Sequence, residues 1–216
     1  MKQKTRFGGL QTPQGFVFEL TGGDVSLDLT NTVDIRPTDA ARDLIPGVDD
    51  LVYWAGQVAL LAPDQQQRLR EEAAREPAQA KKARREVIEL RECLFQLFSS
   101  LADGREPPAE VLARWNRFVR RAMDRYEMVS GGSGLEWRLC SDQDGFDALL
   151  WPIVHSAMQL LTGPRSTKIR RCAGERCDWL FLDTSKRGNR RWCDMTVCGN
   201  RAKAKRHYER RKSAAK

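Results

Sequence analysis

Four of the six cysteines in this chain stand in two close pairs. Cys172-x4-Cys177 is followed, fifteen residues on, by Cys193-x4-Cys198. Two such pairs supply the four soft donors that a tetrahedral zinc ion takes. Each pair folds as a knuckle, and the chain between them returns as a hairpin, with Trp179–Leu182 as the outgoing strand and Arg190–Trp192 as the return. Four thiolates leave no open coordination position for a substrate, so the site reads as structural rather than catalytic. The residues around these cysteines are Arg, Asp, Gly and Trp, unlike the setting of a thiol buried as a small hydrophobe. Cys93 and Cys140 sit among apolar residues, and core packing is their simpler reading.

The cysteine pairs lie in the basic part of a chain of 216 residues. From Arg165 to Lys216, 17 Lys/Arg stand against 5 Asp/Glu, a net of +12; the other 164 residues hold 20 against 24, a net of −4, giving +8 in all. An acidic body with a basic end suits a polyanionic partner that docks at that end. Arg187, Arg190 and Arg191 belong to the expected hairpin. Arg201, Lys203, Lys205, Arg206 and Arg210 belong to a helix expected over 197–211, on which Arg201 and Lys205 share a face with Tyr208. We expect these eight cations to bind nucleic acid through phosphate, with DNA favoured over RNA, and the hairpin arginines to reach base edges. An acidic protein or lipid is the alternative, and the helix lacks the broad apolar face that membrane insertion needs. Arg201 directly follows the last cysteine and has a second reading, as a brace against Asp183 or Asp194. Trp179 and Trp192 either stack on bases or pack over the small core of the finger, and packing is the preferred reading.

Signs of catalysis are few. His155 and His207 are the only histidines; one falls in a core helix and the other in the basic helix. No Gly-rich phosphate loop, nucleophile elbow or His-Glu-x-x-His pattern occurs, so no enzymatic activity is expected. Asp28, Asn31, Thr32 and Arg36 are spaced to converge from one helix on a small polar effector; the competing reading is that they cap and brace the helix packing. No apolar run follows Lys2, Lys4 and Arg6, and no charge-free stretch reaches membrane-spanning length. A cytoplasmic location is therefore expected, where thiols stay reduced and a metal is favoured over disulfides.

Positioning these residues requires a helical scaffold. A loose leader to residue 14 precedes a strand from Phe16 to Leu20, stopped by Thr21-Gly22-Gly23. Asp24 caps a helix to Val33; further helices are expected from Val48 to Leu61 and from Pro63 to Arg75. Val87, Leu90, Leu94, Leu97 and Leu101 mark one face of a helix over Ala78–Leu101. Val111, Trp115, Phe118, Ala122 and Tyr126 mark the next, after Pro107-Pro108. A turn at 130–134 leads to a strand over Leu135–Cys140, expected to pair with the first one. A core helix spans Phe146–Leu161, kinked or delayed by Pro152. Gly163-Pro164 ends the body. The expected fold is mainly α: a helical domain over 1–163 with a minor β-hairpin, then a treble-clef-like zinc finger over 164–216, each with its own hydrophobic cluster.

The run from Cys172 through Cys177-Asp-Trp-Leu-Phe-Leu-Asp-Thr-Ser-Lys186, followed by Arg190-Arg-Trp-Cys-Asp-Met and Cys198-Gly199-Asn200-Arg201-Ala-Lys, resembles the CGNR zinc finger. Leu20-Thr-Gly-Gly-Asp24, Leu27-Asp28, Asn31-Thr32, Arg36, Asp43-Leu44 and Trp54 are similar to the ABATE domain that usually accompanies it. Leu29-Thr30 departs from the Phe-Val commoner there. The resemblance implies a bacterial, stress-induced transcription regulator that binds nucleic acid, with a helical N-terminal domain.

Overall fold

Asp24 opens the first helix, as its side chain leads one to expect. Its Oδ1 accepts from the Ser26 N–H at 3.1 Å and from the Ser26 hydroxyl at 2.7 Å, and α1 covers Val25–Thr30. Helix α2 (Val48–Gln57) begins at Gly47, whose N–H donates to Asp50 Oδ2. Both α3 (Pro63–Arg75) and α4 (Pro77–Ala102) place a proline in the first turn, where its missing N–H costs nothing. Helices α5 (Ala109–Met123) and α6 (Asp147–Thr162) complete the body, and α6 runs on through Pro152. A last helix, α7 (Asn200–Ala214), carries the basic terminus. The computed structural model describes residues 8–13, 15–132, 134–139 and 145–214; residues 1–7 of the expected leader and Cys140 lie outside them.

Central to the body is α4, packed against α1, α3, α5 and α6. Val87, Leu90, Leu94 and Leu97 are at most 1% exposed. The fold is mainly α, with four two-stranded antiparallel hairpins among the described residues: β1 (Gly9–Thr12) with β2 (Gly15–Phe18), β3 (Val33–Asp34) with β4 (Arg42–Asp43), β5 (Tyr126–Gly131) with β6 (Gly134–Leu139), and β7 (Ile169–Arg171) with β8 (Leu180–Leu182). Hairpins of neighbouring segments close short loops, at the least cost in chain entropy.

Four sequence expectations change here. The helix capped by Asp24 ends at Thr30, and Val33, expected within it, lies in β3. The strand near 135–139 pairs with 126–131, not with the first strand, which instead pairs with 9–12. Tyr126 therefore lies in a strand; its spacing of four from Ala122 mimicked a helical face that stops at Met123. The two parts of the chain also share one hydrophobic core: Trp179, Leu180, Phe181 and Leu182 pack into the same cluster as Leu27, Leu29, Leu90 and Leu94. No helix among the described residues is long and apolar enough to cross a membrane.

Candidate metal centre and nucleic-acid interface

The first knuckle is the turn of the β7–β8 hairpin. Cys172 N–H donates to the Trp179 carbonyl at 2.8 Å, extending the ladder past Arg171 and Leu180, and Cys177 N–H donates to Gly174 at 2.9 Å. A side chain at Gly174 would sit 3.4 Å from Cys198 Sγ and 3.5 Å from Cys172 Sγ, inside the sulfur cluster. Asp178, directly after the knuckle, takes a left-handed backbone (φ 62°), which aspartate tolerates better than most side chains. Arg171 holds its carboxylate at 2.5 Å. The outgoing strand thus pairs upstream with 169–171, not downstream with 190–192 as the sequence suggested. Residues 190–192 still meet the knuckle, because Ala173 N–H donates to the Arg191 carbonyl at 2.8 Å.

The second knuckle is built by Asp194. Its Oδ1 accepts from Thr196 N–H at 2.5 Å and Val197 N–H at 3.1 Å, holding a wide turn over Met195–Gly199 that feeds α7. A Cβ at Gly199 would lie 2.4 Å from Met195 Sδ, so the exposed methionine side chain would have to swing aside to admit one.

The four sulfurs lie within 4.8 Å of one another, and all four cysteines are buried. Cys177 to Cys193 is 3.6 Å and Cys193 to Cys198 is 3.7 Å. With metal–sulfur bonds of about 2.3 Å, a tetrahedron has edges of about 3.8 Å, so the spacing fits zinc; a disulfide requires about 2.05 Å. The donor set suits one ion, which would hold the thiols deprotonated and fix both knuckles to each other.

The eight cations separate into groups. Arg190 turns inward: Nε donates to the Trp192 carbonyl at 2.9 Å, Nη1 to Leu182 at 3.5 Å and Nη2 to Cys193, with the guanidinium 4.4 Å from the Phe181 ring. It braces the loop between the knuckles rather than presenting itself to a partner. Arg201 lines a small cavity with Glu19 and Asp34 of the helical body. Burial raises both carboxyls above their usual range, and the Arg201 charge opposes that rise. The expected brace thus faces the helical body, while Asp194 serves its own turn and Asp183 accepts from Ser185 and the Arg190 N–H. Lys205 pairs with Glu175. Arg187, Arg191, Lys203, Arg206 and Arg210 are exposed. A groove of about 420 Å³ runs between the first knuckle and α7, with Trp192, Arg191 and Arg206 among its walls. The sequence reading placed neither Glu175, Arg176 nor Glu209 in it, since only the fold brings them there.

The candidate effector residues are each engaged within the fold. Asp28 Oδ1 accepts from Gly22 N–H at 2.8 Å, and burial pushes its carboxyl up to about 6. Asn31 pairs with both backbone groups of Leu180, donating to its carbonyl and accepting from its N–H at 2.9 Å each. Thr32 donates to Leu29 and accepts from Arg91; Arg36 holds Glu92 at 2.5 Å and lies 3.9 Å from the Phe95 ring. These contacts follow the bracing reading: Asp28 and Asn31 serve the joint with the finger, Thr32 and Arg36 the packing on α4. Trp179, expected over the finger's own core, donates its indole N–H to Val33 at 2.9 Å and anchors the finger on the body. Arg91, buried on α4 beside Asp43 at 2.7 Å, carries no signal in the sequence, where it merely interrupts an apolar face.

Residues 23–164 match the ABATE family model, whose description is "Putative stress-induced transcription regulator", and residues 168–211 match the CGNR zinc finger. A search of curated proteins returns no match.

Proposed function

Because the chain belongs to the ABATE family and carries a CGNR zinc finger at residues 168–211, we propose that it is a zinc-stabilised regulator that binds nucleic acid, DNA in preference to RNA, through α7 and the exposed arginines beside it. The supporting observation is α7 itself. It presents Lys203, Arg206, Arg210, Arg211 and Lys212 to solvent and buries no apolar face. Such a helix repels itself unless an anion covers it. The knuckle at its N-terminus sets its direction relative to the body.

The role is binding, not catalysis. An effector at Asp28, Asn31, Thr32 and Arg36 finds no support in their hydrogen bonds, which are spent within the fold. Phosphate contacts release counterions, so affinity should fall steeply with salt. About five contacts on duplex DNA give a log–log slope near −4.5. Titrating the zinc-loaded protein with duplex DNA and duplex RNA across salt concentrations tests this. Absence of binding to these duplexes and to single strands of either kind at low salt overturns the reading and makes an acidic protein the leading partner.

A further inference from the structure

Phosphate contact alone does not account for the groove beside α7. The exposed cations of α7 can meet a phosphate backbone by themselves, without the groove. The groove is concave, and its volume of about 420 Å³ falls in the range of roughly 300–1,000 Å³ that encloses small organic ligands. Its lining is small at Gly174 on the knuckle and Ala202 on the helix, and it includes the half-buried indole of Trp192, which packs in part on the shared core and has the Arg191 guanidinium 5.3 Å from its ring. Around this lining stand five cations and two carboxylates. Carboxylates disfavour a bare phosphate but accept from the exocyclic amino groups of bases.

We propose that this groove receives one unpaired nucleotide of a strand, its base against the Trp192 indole and its phosphate toward Arg176 and Arg206. The inference rests on the nucleic-acid reading above and narrows it to single-stranded or locally opened substrate, because a base stacked within a duplex cannot enter a concave slot. Glu175 and Glu209 then face the base edge, and Lys205, bridged to Glu175, closes the rim.

The test uses intact, zinc-loaded protein and fluorescence anisotropy at low salt. The probes are a short labelled single strand, an abasic strand of the same length and charge, and the matching duplex. Base stacking on an aromatic side chain predicts roughly tenfold tighter binding of the normal strand than of the abasic one. Ala202→Trp fills the groove from the helix side; because Cys177 and Cys198 also line the groove, the zinc content of the variant is measured alongside. The variant should bring the normal strand down to the abasic affinity with zinc content unchanged, while Trp192→Phe keeps most of the preference. Equal affinity for normal and abasic strands, or an Ala202→Trp protein that still discriminates, overturns the slot while leaving phosphate binding intact. Adenosine monophosphate competing as well as the strand overturns the strand assignment in favour of a free nucleotide. Failure to bind any strand or duplex instead removes the underlying nucleic-acid reading.

Discussion

The finger turns two unlike faces to its surroundings. Its inner face is β8, docked on the helical body: Leu180 and Phe181 are fully buried, Asn31 saturates the Leu180 backbone, Trp179 reaches Val33, and Leu182 N–H donates to Gly22 at 2.9 Å. Its outer face is α7, whose cations lie in solvent and which packs mainly on the turn that launches it. The same residue type therefore does opposite work on the two sides. Arg190 is consumed by carbonyls and an aromatic ring, whereas Arg206 and Arg210 remain exposed. A count of positive charge does not separate these roles; burial and hydrogen bonding do.

The largest effect that probes this contrast is metal loss. Structural zinc contributes on the order of 10–16 kcal/mol in isolated fingers. Chelation, or Cys193→Ser, should release α7 and also lower the melting temperature of the helical body, because the core is shared. Thermal melts followed by circular dichroism with and without chelator read both. A body that melts at the same temperature without metal would show two independent clusters.

Next come the residues of the inner face. Asn31→Ala leaves the Leu180 N–H and C=O unpaired in a buried place, at about 1–3 kcal/mol each, or roughly 4 kcal/mol together. Urea denaturation should show this drop with the metal still bound. A change below about 1 kcal/mol would mean that water reaches the joint.

Asp28 sharpens the inner side through pH. It holds Gly22, whose carbonyl receives the Leu182 N–H. With its carboxyl pushed up to about 6 by burial, the folded chain keeps a proton that the unfolded chain releases near 4. The stability it contributes is fully present below about pH 4 and is lost as pH rises through 6. Asp28→Asn, whose amide oxygen can still accept from Gly22, should remove that dependence and stabilise the protein at pH 8 by up to about 3 kcal/mol. Asp103, held low by its hydrogen bonds from Arg171, acts in the opposite direction, so the comparison must be variant against parent across pH. Parallel pH profiles for the two proteins would refute the assignment.

The smallest expected change in stability is at the outer face. Arg206→Ala and Arg210→Ala should shift unfolding by less than about 0.5 kcal/mol. Both should weaken binding to all sequences alike, and each phosphate that is no longer neutralised should flatten the salt slope on duplex DNA by about 0.9. Arg190→Ala should do the reverse, costing stability first. A binding defect in Arg190→Ala with unchanged unfolding would move that residue to the outer face.

Local chemistry determined much of this molecule in advance. The spacing of Cys172, Cys177, Cys193 and Cys198 announces four convergent donors because knuckles are short-range structures. Asp24, Pro63 and the apolar period of α4 likewise mark their elements through interactions within a turn or two. What the sequence left open were choices between distant partners. β8 had two candidate neighbours of similar pattern, and it pairs with 169–171 while its other edge is taken by Asn31, by the Gly22 carbonyl and by Arg190 at the Leu182 carbonyl. Asn31 and Leu180 stand 149 residues apart, and nothing in either neighbourhood states that an amide will meet that backbone. Whether a polar side chain braces or binds depends on which groups surround it after folding, and only the tertiary structure supplies those.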